Sequence, residues 1–339
     1  MKLHAFALAA ASLVAAPAAA HHSMATFDGA QVVTVEGVVT RYDWSNPHVY
    51  IYLEAPDDAG ASVEWEIEGQ PPAILRRQGW SRDTLAVGDR LSVSGNPARN
   101  AADKSLYLTN MTNAEADAAL FDQGALMAGL MGSDAPPAEA TAGLEGMWAT
   151  LLAIDVILPF IDPEENFELT ERGAAAVAAY DEATMNPGLA CVALPAPGFM
   201  YIPDVKRIAV EDDVIRIEGE FDGAVRLIHL DTDNHDGAEP TNQGHAIGRF
   251  EGETLVIDTA AFAENRAGNG DGLPSGPAKR LVERLTPTED RTGLVYTFEL
   301  TDPDFLAAPV TGEVRWVHRP DLAYAPEPCS EENARRYAE

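Results

Sequence analysis

The chain has 339 residues, 46% of them hydrophobic and 23% charged, enough for about two domains with buried cores, which excludes a disordered tail protein. Its 23 Lys and Arg stand against 54 Asp and Glu, a formal net charge of −31, and that balance argues against any partner held by its phosphates, nucleic acid above all. After the first twenty residues no apolar run reaches the ~18 residues that a membrane helix needs, so no span is expected in the mature chain.

Residues 1–20 read as a secretory signal peptide: Lys2, an apolar run from Ala5 to Ala16, then small residues at Ala18 and Ala20. Cleavage between Ala20 and His21 would deliver the chain to the periplasm or the medium. There, Cys191 and Cys329 read as one long-range disulfide, the alternative being two buried thiols. The same cleavage would leave His21 as the first residue. A free amine and its own imidazole can chelate one metal ion, and a further imidazole from His22 or His48 would complete a three-nitrogen set suited to copper. The plainer alternative makes these histidines a polar lead-in and a hydrogen-bonded strand residue.

Residues 21–112 carry strand patterns at Val32–Thr40, Val49–Leu53, Val63–Glu68, Arg90–Gly95 and Ser105–Leu108. Between the third and fourth, the stretch PPAILRRQG at 71–79 opens on prolines and ends on glycine, as a short helix should. Five strands with that helix in that place is the order of an OB-type barrel. His48, Tyr50 and Tyr52 share one strand face near Trp44, an aromatic surface able to stack on rings or simply to form one wall of the core. Residues 113–142 read as a helical segment and linker, closing on SDAPPAEATAG.

Residues 143–339 begin with a helix capped by Thr170 and continue as eight strand patterns. These are Val205–Val210, Val214–Glu220, Ala224–Leu230, His245–Phe250, Thr254–Thr259, Ala278–Leu285, Leu294–Leu300 and Glu313–His318. Tight turns between them predict an antiparallel sheet closing on itself, which leaves no exposed edge. Alternation puts Arg226 on the opposite face from His229, groups His245 with Ile247 and Arg249, and groups Glu283 with Leu281 and Leu285. Inside a barrel, Arg226, His245, Arg249 and Glu283 would supply the few polar groups that a mostly apolar ligand pocket needs. The same groups could serve chemistry, with His245 or His229 as base and Arg226 or Glu283 in support, although a buried ion pair would have the same appearance. No nucleophile elbow, HExxH, CxxC or dinucleotide glycine fingerprint is present. The stretch AENRAGNGDGLPSGP at 263–277 has no P-loop lysine and reads as a mobile loop. Glu264, Asn269 and Asp271 within it, and Asp231, Asp233, His235 and Asp236 in HLDTDNHDG, could be offered as cation ligands without the spacing of a calcium loop.

Two resemblances follow from these motifs. HHSMATFD, VEGVVTRYDWSNPHVYIYLE, WEIEGQPPAILRRQGW and VGDRLSVSGNPAR, over about 21–110, resemble a family of exported bacterial domains of unknown function. FDGAVRLIHLD, GHAIGRFEGETLVIDT, LVERLTPTEDRTGLVYTFELTDP and EVRWVHRP, over about 143–332, resemble a second uncharacterised exported family, with Phe250 where that pattern usually has Trp. Both imply an exported β-rich protein and neither implies a reaction. Gly146-Met147-Trp148 is also similar to the opening of lipocalin-like barrels, which implies Arg315 on the last strand packed over that indole. The expected protein is mainly β, a small OB-like barrel followed by a larger antiparallel lipocalin-like barrel with one or two helices. Its expected function is to bind a small, partly apolar or aromatic molecule in the second barrel. Alternatives are copper binding through the mature N-terminus, or isomerase or lyase chemistry by His and Arg.

Overall fold

The structure is a computed structural model that describes residues 26–57, 60–116, 118–132, 139–141, 143–221 and 223–336. The signal-peptide segment and His21 and His22 lie outside the described residues.

Five strands close the first barrel: β1 (Val33–Asp43), β2 (Tyr50–Pro56), β3 (Ser62–Glu68), β4 (Arg90–Pro97) and β5 (Ser105–Asn113), ordered β3-β2-β1-β4-β5. A parallel pairing of β3 with β5, Ile67 opposite Leu106, shuts the ring, and β6 (Ala118–Asp122) extends it beyond β5. Period-2 alternation turns Val35 and Val39 of β1 inward against Ile51, Leu53, Ile67, Leu91 and Val93. The helix Pro72–Arg76 lies between β3 and β4, with Ala73 and Leu75 buried. The OB-like expectation therefore holds, with one added strand.

Nine strands close the second barrel: β7 (Gly146–Thr150), β8 (Val205–Val210), β9 (Val214–Gly219), β10 (Val225–His229), β11 (His245–Glu251), β12 (Thr254–Ala260), β13 (Arg280–Pro287), β14 (Gly293–Thr301) and β15 (Val310–His318). The eight predicted strands are present, and the Gly146-Met147-Trp148 stretch supplies the ninth, between β15 and β8. The sheet is not wholly antiparallel. The long 230–244 crossover brings β11 back parallel to β10, where a hairpin would have reversed it. Five helices fill the segments between β7 and β8, at Ile154–Ile161, Pro163–Asn166, Glu171–Ala178, Glu182–Met185 and Gly198–Tyr201, where the sequence predicts one or two. Three of them have four residues each, too short to show a helical hydrophobic period. The Thr170 cap is as expected, its hydroxyl accepting from the Gly173 amide at 3.0 Å. Arg315 faces outward and does not cover Trp148. Alternation along β15 buries Val314, Trp316 and His318 instead, and the His318 ring lies 5.0 Å from the indole.

After β15 the chain returns to the first barrel and clamps it. The Glu327 carboxylate accepts from Trp44 Nε1 at 3.0 Å and pairs with Arg82 at 2.7 Å and with Arg76. Arg336 pairs with Glu66 at 2.7 Å and lies 4.5 Å over the Tyr50 ring. The Cys191–Cys329 disulfide ties this strap to the second domain across 138 residues. It is consistent with an oxidising compartment outside the cytoplasm. Cys329→Ser is expected to lower the unfolding free energy by about 4 to 5 kcal/mol in the chain-entropy model and to expose the strap to protease. Urea unfolding and limited proteolysis check both effects.

Candidate functional site

The sequence-derived candidates separate into two environments. Arg226 and Glu283 meet inside the second barrel, both essentially without solvent exposure. Glu283 accepts from Arg226 Nη1 at 2.6 Å and from the Tyr296 hydroxyl at 2.8 Å, while Arg226 Nη2 donates to Thr259 Oγ1 at 2.7 Å. Two charges removed from water are tolerable because each is paired and hydrogen-bonded. The two charges answer each other, and of the Arg226 donors Nε is left without a partner. His245 and Arg249 lie on the opposite, outer side of the β11 ladder, whose buried residues are Ala246 and Gly248. Arg249 is exposed and pairs with Glu251 at 2.9 Å.

His229 also faces outward, its ring stacked 5.0 Å from that of His245. The 230–244 crossover adds His235, whose Nδ1 shares a hydrogen bond with His245 Nδ1 at 2.9 Å and whose Nε2 lies 3.8 Å from Asp258. Burial, with the neighbouring His229 and His235, pulls the His245 pKa below its ordinary value. A neutral His245 can then accept the proton of His235 or donate its own, so this pair fastens the crossover to the barrel wall. Sequence alternation separates Arg226 from His229 correctly. It gives no information on His235, which reaches the cluster through a loop.

The copper expectation is corrected. Among the described residues no group of three or more His, Cys, Asp or Glu side chains could hold a metal ion, which also removes the cation readings of 229–237 and 263–277. His48 is already committed: its Nδ1 lies 2.7 Å from the buried Glu68 carboxylate and 3.1 Å from the Gly69 carbonyl. Burial lowers the His48 pKa, but the charge and hydrogen bond of Glu68 and the Gly69 carbonyl outweigh it and leave the value raised. The aromatic face beside it is occupied as well, with Arg336 over Tyr50 and Arg41 3.8 Å over Tyr52.

The open space lies elsewhere. A cleft of about 250 Å³ runs between the two barrels, walled by Asn46 and Pro47 from the first, Asn186 to Pro195 from the second, and Cys329 and Ala334 from the strap. A second cavity of about 150 Å³ sits at the mouth of the second barrel behind it. Leu194, Pro195, Ala267 and Asp271 line both, so they form the partition. The inner cavity is aromatic: Phe160 lies 5.0 Å from Tyr201, and both rings pack against Phe298 at 6.0 and 6.4 Å. Tyr201 is 8% exposed. Asp271 is the one acidic or basic side chain on the walls of either cavity among the described residues, the Tyr201 phenol being the other titratable group.

The 263–277 stretch that supplies Asp271 reads as a mobile loop from its glycines, yet it is pinned. The Asp271 amide donates to the Phe160 carbonyl at 2.7 Å, and at Gly270, with φ +136°, a Cβ would meet that same oxygen at 2.8 Å. Buried Asn269 donates to Asp302 at 2.8 Å. Beneath the partition, buried Lys279 donates to the carbonyls of Ala196 at 2.8 Å and Gly268 at 2.6 Å, its pKa pulled by burial down to about 7 against the opposing charge of Asp302. These glycines therefore mark close backbone approach.

The first barrel has a recognisable relative. Residues 9–107 match the model of a family of unknown function (DUF6152). The matched stretch ends inside β5, so it bears on the N-terminal domain and supports the first of the two resemblances at that coarser level. A search of curated proteins finds no match.

Two predictions follow from the pairs above. Arg226→Met alone should cost about 3 to 5 kcal/mol because it strands a buried carboxylate, whereas the double change Arg226→Met, Glu283→Leu should recover most of that in urea unfolding. NMR titration should place the His48 ring above the ordinary value of 6.5 and Glu68→Gln should bring it down. A histidine whose folded value is raised stabilises the fold below its unfolded value and loses that contribution as pH rises through the folded one, so the first barrel should weaken as pH rises past neutrality.

Proposed function

We propose that this chain is an exported binding protein for a small, partly aromatic molecule that carries a positive charge. The ligand enters the cleft between the barrels and places its apolar part in the chamber lined by Phe160, Tyr201, Ile157 and Ile202. The observation that carries this reading is the pairing of the Phe160 and Tyr201 rings with Asp271, the one carboxylate and the one charged group on the walls of both cavities among the described residues. A carboxylate has two oxygens and about four acceptor sites, so Asp271 can receive an ammonium in addition to its existing contacts. Aromatic faces attract the same charge. An anionic ligand would meet no basic side chain on these walls, in a chain of net charge −31. The barrel fold is consistent with small-molecule binding, and the mutual pairing of the Arg226 and Glu283 charges favours the cleft over the barrel interior as the place. Export after cleavage at Ala20/His21 is part of the proposal, supported by the disulfide.

Calorimetry with 2-phenylethylamine, 2-phenylethanol and 3-phenylpropionate tests it. The amine is expected to bind about tenfold tighter than the alcohol, since a charge-assisted hydrogen bond is worth that much, and the acid not measurably. Asp271→Asn should remove the preference for the amine. Val192→Trp, at a 42% exposed position on the cleft wall, should block amine and alcohol alike. Equal binding of amine and alcohol overturns the charge assignment, and binding untouched by Val192→Trp overturns the cleft.

A further inference from the structure

On another side of the seam between the barrels lies a separate cavity of about 180 Å³ that shares no lining residue with the cleft. Part of its wall is apolar, with Leu126 and Leu130 from the helix Gln123–Leu130 and Leu151 and Val317 from the second barrel, and Gln78 lines it as well. Two guanidinium groups, Arg77 and Arg319, also line it.

Arg77 is the anomaly. It follows directly on the helix Pro72–Arg76, and its neighbour Arg76 turns to the strap while Arg77 turns into the seam. Its Nε and Nη2 are buried with no hydrogen-bond partner, and no carboxylate among the described residues comes within ion-pair distance of it. Burial pulls its pKa down to about 10, Asp204 and Glu220 oppose that only from longer range, and nearby Arg319 adds to it, so the group is charged at neutral pH. Both acids have other partners, Asp204 with Lys206 and Glu220 with the Ala325 amide. Arg319 is held in a fixed orientation by two bonds of 2.7 Å to Asp321. Arg77 as a whole is part-buried, but two of its guanidinium nitrogens are shut off from solvent without a partner, and donors so placed are costly unless an ion or ligand meets them.

We propose that this seam cavity is a binding site for a small organic monocarboxylate, its carboxylate on Arg77 and its short hydrocarbon part against Leu126, Leu130, Leu151 and Val317. A planar carboxylate matches the fork of a guanidinium, and a cavity of this size with partly apolar walls suits a few methylene groups better than a fully hydrated inorganic anion. The site joins the helix of the first domain to β7 and β15 of the second, so its occupant would strengthen the contact between them. It shares no lining residue with the cleft, and the proposal does not rest on the cation reading given to that cleft.

Thermal shift and calorimetry on the full mature chain, with butyrate, butanamide and sulfate as probes, decide the matter. Butyrate should raise the melting temperature, and the neutral amide should not. Arg77→Met should weaken butyrate binding about tenfold or more, as expected for loss of hydrogen bonds to a charged group. The same variant should melt no lower than the wild-type chain without ligand, because it removes an uncompensated buried charge. Arg77→Lys, which keeps charge but not the fork, should bind butyrate weakly and provides a folded control. Equal shifts from butyrate and butanamide overturn the proposal. So does stronger binding of sulfate than of butyrate, or butyrate binding that survives Arg77→Met. Loss of stability in Arg77→Met without ligand overturns the premise that Arg77 lacks a counter-ion.

Discussion

The strap that follows the last strand governs how the two barrels meet. A free C-terminal segment would give up about 1 to 2 kcal/mol of backbone entropy per residue on lying down, more than exposed ion pairs return. Here the disulfide at Cys329 has already fixed one point of it, and the remaining contacts form at high effective concentration. Glu327 then gathers Trp44, Arg82 and Arg76 on one carboxylate, and Asn333 bonds Ser45 at 2.7 Å. The strap backbone pairs directly with Asn46, whose carbonyl accepts from the Ser330 amide at 2.8 Å and whose side-chain amide donates to the Glu327 carbonyl at 2.8 Å. The cleft is the space these attachments leave open, which explains why its wall draws on the first barrel, the second barrel and the strap together.

Inside the second barrel the polar groups are arranged to stabilise and orient packing. Arg226, Thr259, Glu283 and Tyr296 come from four strands, so the network fixes the relative register of β10, β12, β13 and β14. Lys206 does similar work near the strap end: it pairs with Asp204 and donates to Thr150 at 3.1 Å, with its ammonium 5.3 Å from the Trp316 ring. Low dielectric makes such bonds strong when complete and costly when broken. A ligand that displaced them would have to supply equivalent partners at every site. Space lined by apolar side chains and a few open polar groups carries no such penalty, and that is the character of the cleft and of the seam cavity.

Strands such as β9, β10 and β13 are legible because one face is buried with a clear period of two, and the eight patterns after residue 200 all correspond to strands of the barrel. The sequence was silent where the determinants are non-local. Strand β7 is five residues long and recognisable only from its neighbours β15 and β8, and the parallel return of β11 depends on how a fifteen-residue crossover packs through His235. Candidate residues fared unevenly for the same reason. Alternation puts Arg226 and Glu283 on faces that turn inward, whereas the face of β11 that carries His245 turns out. Asp271, Tyr201 and Arg77 sit in a glycine-rich loop, a four-residue helix and a helix end, where no periodicity marks a side chain's direction. What sequence did offer was the run of glycines around Asp271, each a hint of tight backbone contact where mobility was inferred.

Charge gives the final constraint. A chain this acidic repels anions at long range, and within about a Debye length of its surface only local cations can reverse that. The cleft has no basic group on its walls, so the general field and the local one agree there and select neutral or cationic occupants. The seam cavity is the opposite case: two arginines held in a low-dielectric gap, where the force between a guanidinium and a carboxylate is far less screened than outside. On the two proposals made above, ligands of opposite charge would occupy separate parts of one domain junction, with no lining residue in common. Since both involve the same two barrels, any occupant that tightens the junction at one would reduce the freedom left at the other, and the thermodynamic coupling between them would be reciprocal.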